Sequence, residues 1–418
     1  MSAGKIADRR AVLAILVVIY MFNYADRYLI AALADPLKRD LRLDDAFVGL
    51  LLGPAFALLY TLLSVPLARL ADRRSRVAIL SAGCIVWSLF TALSGIAQNG
   101  WTLAAMRIGV GIGEAAFIAP AYSILSDIFP PERRAGAFAV LGLGMFLGQT
   151  GGYVAGPAIA AQADWRAAFV ALGIAGGAVG LFAATALAEP ARGGSGAAGS
   201  EPPARLTTVL AGLWRDPAYR LMNIGIALGT FSGYAFGMWA PSLFVRRYDI
   251  GLAAASGHFG LAFGCSAMIG MLGFGALANR LGRRDPRWPL RLAAIGLAAA
   301  TVAIAAACFA PSIGSVTLFA IPAGLLGGGW SIGVMSGLQL VLADRIRATG
   351  TALFTLVNVF VGMVIGPYVV GLASSALGSG AAGLQAALIG VIALGLPGAL
   401  LLWRAAPLIG ARNGRESG

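Results

Sequence analysis

The chain is poor in charge, histidine and cysteine. Only 12% of its 418 residues are charged, against 59% that are hydrophobic, which excludes an ordinary soluble globular domain, where about a quarter of residues carry charge. One histidine (His258, at a predicted membrane boundary) and three unpaired cysteines (Cys84, Cys265, Cys308) exclude a zinc-ligand cluster and a disulfide framework. Neither a metal nor another cofactor is expected. No glycine-rich loop ending in lysine is present to cradle nucleotide phosphates, which argues against an ATP-driven pump. Asn-x-Ser/Thr acceptors are absent, favouring a bacterial membrane over a glycosylated eukaryotic one.

What the chain has is long apolar runs. Twelve are long enough to span a bilayer, near residues 11–34, 47–69, 77–97, 101–125, 136–161, 166–187, 218–245, 254–278, 290–310, 315–342, 349–376 and 384–403. They are continuously apolar instead of alternating at every second residue, so they predict an all-α membrane protein, not a barrel. With the N-terminus inside, 23 basic residues lie on the inner side, 6 on the outer side and 2 within spans. That asymmetry predicts cytoplasmic termini and a multi-pass protein of a bacterial inner membrane. The net charge of +13 is spread over short loops and implies contact with lipid headgroups, not nucleic acid. A monomer is expected.

A Gly/Ser/Pro-rich stretch divides the spans six and six. The predicted organisation is an N-terminal bundle 1–187, a cytoplasmic linker 188–217, a C-terminal bundle 218–403 and a cytoplasmic tail 404–418. Internal repetition supports it. Ala68 to Arg76 and Gly275 to Arg283 share four of nine residues at an offset of 207, and Gly156-Pro157 is echoed by Gly366-Pro367 at an offset of 210. Such duplication is the mark of halves that rock about a shared midplane site.

Four charges lie inside spans: Asp26 and Arg27 in the first, Arg107 and Glu114 in the fourth. Intramembrane charges usually face a cavity or a partner. At 1.5 Å per residue, Asp26 lies about 12 Å below the outer end of its span, Arg107 about 9 Å and Glu114 about 20 Å below theirs. Seven residues separate Arg107 from Glu114, so both occupy one helix face, and Gly109, Gly111 and Gly113 favour close helix approach. Two readings stand. Asp26 and Glu114 carry protons while Arg27 and Arg107 govern their release, since burial favours the neutral acid and a guanidinium the charged one. Otherwise the four form a static ion-pair cluster that holds the bundle together.

These motifs resemble the major facilitator superfamily. Asp72, Arg73 and Arg76 match its loop motif between the second and third spans, while Ala68, Ser75 and Val77 depart from it; Gly275, Arg280, Gly282, Arg283 and Arg284 match the second copy, with Asn279 replacing the acid. Arg107 with Gly111 resembles its fourth-span motif, and Gly148 to Pro157 its fifth-span antiporter motif. More narrowly, Asn23 to Arg27, Gly111 to Ala115 and Ser126 to Arg134 resemble the spinster family of sphingolipid and lysophospholipid transporters. The resemblance implies proton-coupled alternating access, with the first-span acid and fourth-span Glu as coupling groups and Arg27 or Arg107 meeting the anionic head of a small amphiphile.

The candidate substrate cavity comprises Asn23, Tyr24, Tyr60, Tyr122, Tyr234, Trp239, Trp330, Gln339 and Asn358, a lining with few charges that suits a mostly apolar molecule. The loop motifs read as a cytoplasmic latch of Asp72, Arg73, Arg76, Asp127, Arg133, Arg280 and Arg283. Asp72 is expected to cap a helix or pair with Arg76, and Asp127 with Arg133 to lie in reach of Arg73. An organic-anion:proton symporter or a drug:proton antiporter is the nearest rival reading. An intramembrane serine hydrolase is disfavoured: Gly329 to Gly333 matches Gly-x-Ser-x-Gly, yet no acid or histidine lies near Ser331 in sequence to activate it.

Overall fold

The computed structural model describes residues 6–192, 206–342 and 346–416. Among them twelve helices are long and apolar enough to cross a membrane. In the first half they are Arg9–Ala32, Asp45–Arg73, Arg76–Ser94, Gly100–Ile128, Pro131–Gln162 and Trp165–Ala186. In the second they are Pro217–Tyr248, Leu252–Gly282, Trp288–Phe309, Ile313–Val341, Thr349–Ala376 and Ala381–Ile409. They are numbered here as spans one to twelve. Residues 193–205 of the expected linker lie outside the described residues. Its later part forms a helix, Leu206–Arg215, and the last helix continues to Glu416 through the expected tail.

Side-chain caps start many of the helices. Asp8, Asp44, Ser75, Asn99, Asp164, Asp216 and Ser312 each accept from a first-turn N–H, satisfying donors that the first turn leaves without a helical partner.

Contacts divide the chain into one unit of Met1–Ala198 with Ile250–Gly260, and another of Gly199–Asp249 with Leu261–Gly418. The start of the eighth span groups with the first unit, where Phe259 meets Tyr153 edge-on at 5.3 Å.

Within the first unit, glycines bring the fifth span onto the first. A Cβ at Gly144, Gly148 or Gly152 would lie 2.7, 2.2 or 2.5 Å from the carbonyl oxygens of Val17, Met21 and Ala25. Glycine every fourth residue is therefore a zipper of close backbone approach, and it fixes the helix that carries Asp26 and Arg27. The second unit uses the same device. A Cβ on Gly270 would meet the Leu325 carbonyl oxygen at 2.0 Å, and one on Gly328 that of Ala267 at 2.1 Å.

Several spans are not continuous α-helix. The second is interrupted at Gly53, just before Pro54. The fourth stops at Glu114 and resumes at Ile118. The tenth is interrupted at Gly328 and Gly329, while the eighth and eleventh each contain a π-helical segment, Gly260–Cys265 and Phe360–Ile365. Gly260 follows Gly53 by 207 residues, the offset of the loop motif. Irregular backbone at membrane depth persists where protein or a polar cavity satisfies it.

Candidate functional site

Asp26 and Arg27 are consecutive on the first span and so point about 100° apart. They reach different partners. Asp26 accepts from Arg107 Nη1 at 2.8 Å and from Thr91 Oγ1 at 2.8 Å, on the fourth and third spans. Arg27 Nε donates to Glu114 Oε2 at 2.6 Å. Two crossed ion pairs thus join the first span to one face of the fourth, and none of the four residues is more than 5% exposed.

Small residues make this approach possible. A Cβ on Gly111 would lie 2.3 Å from the Phe56 carbonyl oxygen, and one on Gly113 2.5 Å from the Trp87 nitrogen. The fourth span is therefore pressed between the second and third. Its interruption after Glu114 has a cause in Pro120, which has no N–H to give residue 116 and whose ring excludes that carbonyl from helical geometry.

Aromatic rings surround the arginines. The Arg27 guanidinium carbon lies 4.6 Å from the Tyr60 ring centre, 4.8 Å from Tyr24 and 5.0 Å from Phe56, and that of Arg107 lies 5.1 Å from Phe56. These distances give cation–π attraction, strongest where water is excluded. Polar capacity is left over: both amide atoms of Asn23, Glu114 Oε1 and Arg107 Nε are buried without a hydrogen-bond partner. Unsatisfied buried polar atoms are costly and mark a place where a ligand, water or proton belongs.

A second cluster lies at the other end of the same unit. Arg76, 2% exposed, donates to Asp127, to Glu189 Oε1 at 2.9 Å, to Ser123 Oγ at 3.0 Å and to the Pro190 carbonyl at 2.8 Å. Glu189 also accepts from Ser75 Oγ at 2.6 Å and from the Val77 N–H at 2.9 Å. The partner of Asp127 is thus Arg76, not Arg73. Asp72 forms no ion pair among the described residues and is exposed, as are Arg73, Arg133, Arg280 and Arg283. Sequence reasoning missed Glu189 because it falls in the expected linker, and its only signal is an acid followed by Pro190 just beyond an apolar run.

The other cavity candidates are scattered. Trp239 is fully buried and gives its indole N–H to the Pro367 carbonyl at 2.9 Å. Trp330 belongs to a core cluster with Leu297, Met222 and Val334. In this structure both rings are packed into helix interfaces. Tyr122 is half-exposed, edge-on to Phe138 at 4.8 Å, and Tyr234 lies against Gly362 in the π-helical segment of the eleventh span. Gln339 donates to Thr351 Oγ1 at 3.3 Å. Asn358, on the eleventh span, donates to the Phe354 carbonyl at 2.6 Å and leaves its buried Oδ1 without a partner. Among the described residues no group of three or more His, Cys, Asp or Glu side chains is placed to hold a metal ion.

Twelve membrane helices with a buried charge constellation define a membrane transporter, not an enzyme. The sequence matches the Major Facilitator Superfamily over residues 16–367, and the chain belongs to that family. It is 32% identical over 381 residues to an "MFS-type efflux pump" of Mycolicibacterium smegmatis, covering 90% of this chain and 87% of that protein. It is 28% identical over 376 residues to the "Sphingosine-1-phosphate transporter SPNS2" of Danio rerio, covering 85% and 74%. Among solved structures, a bacterial homologue of the human lysosomal transporter Spinster, inward-facing and unoccupied, superposes with a TM-score of 0.86 at 26% identity, covering 98% of this chain and 99% of that one. The spinster resemblance in the motifs therefore extends over the whole fold, and the chain is a multi-pass protein of the kind found in a bacterial inner membrane.

Proposed function

We propose that the chain is a proton-coupled secondary transporter working by alternating access, and that it moves an amphiphile with an anionic head, of sphingoid-phosphate or lysophospholipid type. The observation that carries this reading is the crossed pairing of Asp26 with Arg107 and Glu114 with Arg27. Each carboxylate is neutralised by one guanidinium at a depth where an unpaired charge is costly. A proton delivered to Glu114 makes it neutral and frees Arg27. The freed guanidinium then takes the anionic head, in the bidentate geometry to which arginine is suited. Loss of the substrate returns Arg27 to Glu114 and expels the proton. Tyr24, Tyr60 and Phe56 remain around the arginine throughout and supply an apolar wall for the chain of the amphiphile.

In this reading both termini are cytoplasmic, and the contacts of Arg76 with Asp127 and Glu189 act as a latch at that face. The zebrafish relative, a sphingosine-1-phosphate transporter, supports a phosphorylated lipid. The mycobacterial relative is an efflux pump, and export by drug:proton antiport is the second reading.

Thermal unfolding of the purified protein with lysophospholipids, sphingoid phosphates, sugar acids and cationic drugs tests the proposal. Stabilisation by the lipid phosphates is expected. Stabilisation by cationic drugs alone would replace it with the antiport reading, and by sugar acids alone with organic-anion symport.

A further inference from the structure

In the second unit, the end of the eighth span, the loop after it and the adjacent faces of the ninth and tenth spans enclose an open cleft of about 450 Å³. Asn279, Arg283 and Ser336 supply its polar wall. Pro286, Pro289 and Leu340 supply the apolar one.

The internal repeat indicates what this cleft lacks. Arg283 stands 207 residues after Arg76, and Asn279 the same distance after Asp72. Arg76 is buried against two carboxylates, a hydroxyl and a carbonyl, all supplied by the chain. Arg283 is exposed and has no ion pair among the described residues. The acid of its own loop position is replaced by a neutral amide. The only acid between residues 275 and 291 is Asp285, and its carboxylate accepts the backbone N–H of Arg287 at 2.8 Å. Arg280, Arg284, Arg287 and Arg291 add positive charge along the same stretch. One half thus provides anions for its loop arginine, and the other presents the arginine to an open cleft.

We propose that this cleft binds the phosphate of an anionic phospholipid headgroup. Arg283 and Asn279 donate to the phosphate oxygens, and Pro286, Pro289 and Leu340 face the glycerol and upper acyl chain. Phosphate is the shared chemistry. A lipid is its source because half the wall is apolar and because Arg280, Arg283, Arg284, Arg287 and Arg291 crowd one stretch that lines it, as in the basic pockets between membrane helices that take anionic lipids.

The test is thermal unfolding of the full chain in detergent with added phosphatidylglycerol, phosphatidylcholine of the same acyl chains, or inorganic phosphate. Wild type and the variants Arg283→Gln, Arg280→Gln and Asn279→Asp are compared. Phosphatidylglycerol is expected to raise Tm and phosphatidylcholine to leave it unchanged. Arg283→Gln should weaken the apparent affinity for phosphatidylglycerol about fivefold, the factor for removing one surface guanidinium from an anionic headgroup, and Arg280→Gln should weaken it less. Asn279→Asp takes an amide donor out of the polar wall and puts a carboxylate in its place, and like-charge repulsion of the phosphate should abolish the response while keeping the fold, even where Arg283→Gln folds poorly. An equal rise with inorganic phosphate would overturn the lipid assignment. An undiminished response in both Arg283→Gln and Asn279→Asp would overturn the site.

Discussion

Arg27 Nε lies 2.6 Å from Glu114 Oε2, and beside it Arg107 Nη1 lies 2.8 Å from Asp26 Oδ2. Each arginine pairs with the acid of the other span, so no charge in the constellation can be removed without stranding another. Removing one partner of a buried pair costs about 3–5 kcal/mol, whereas removing both often costs far less. Asp26→Asn alone should therefore lower Tm markedly, and Asp26→Asn with Arg107→Gln should recover much of the loss. Thermal unfolding of the two single variants and the double variant measures the coupling. Additive losses would mean that the pair contributes nothing as a unit.

Gly111→Ala tests the close approach of the fourth span to the second. The added methyl would lie 2.3 Å from the Phe56 carbonyl oxygen, and backbone must move to admit it. Overpacking of this kind costs about 1–3 kcal/mol. Gly136, where a Cβ would meet nothing within 4 Å, is the control: Gly136→Ala should leave Tm unchanged or raised.

Trp239→Phe removes the bond to the Pro367 carbonyl while keeping most of the ring volume. A lost hydrogen bond with a carbonyl left behind costs about 1–3 kcal/mol. Stability should fall and the half-saturating substrate concentration should hold. A large change in that concentration would restore Trp239 to the substrate site.

Acid should loosen the cluster at Arg76. Burial raises the Glu189 carboxyl, but the hydrogen bonds from Ser75, the Val77 N–H and Arg76 outweigh it, and the group sits below its ordinary value. At the opposite end, hydrogen bonding from Arg166, joined by Trp165, holds Asp40 low. A depressed carboxyl stabilises the fold above its unfolded pKa, near 4 for these groups, and that contribution is lost as pH falls through the lower folded value. Tm should therefore drop between about pH 5 and pH 3, and Glu189→Gln should show a lower plateau with a shallower drop. An unchanged acid limb in that variant would remove Glu189 from the cluster.

The four buried charges were legible because a charge in an apolar run stands out in any sequence. Their crossed pairing was not, since it depends on the rotation of each helix about its axis, and only the seven-residue spacing of Arg107 and Glu114 hinted at a shared face. Thr91 and Phe56 carried no signal: a hydroxyl can bond its own helix, as Thr91 also does to the Trp87 carbonyl, and a phenylalanine in a span reads as packing. The break after Glu114 was written in Pro120 but obscured by the apolar run around it. Hydrophobic patterning does not separate a ring that lines a cavity from one that fills an interface, so the packed positions of Trp239 and Trp330 were not legible. The twelve spans were read to within a few residues because length and apolarity are set by the bilayer itself.

The most direct test of the central claim is proton movement in proteoliposomes. Wild type and Glu114→Gln are reconstituted with a pH-sensitive dye inside, and the lipid phosphate that best stabilises the protein is added. Glutamine keeps the shape of Glu114 but neither binds nor releases a proton. Wild type should move protons with the substrate and respond to an imposed pH gradient, while Glu114→Gln should exchange substrate down its own gradient without either response. Proton movement in Glu114→Gln equal to wild type would contradict the account.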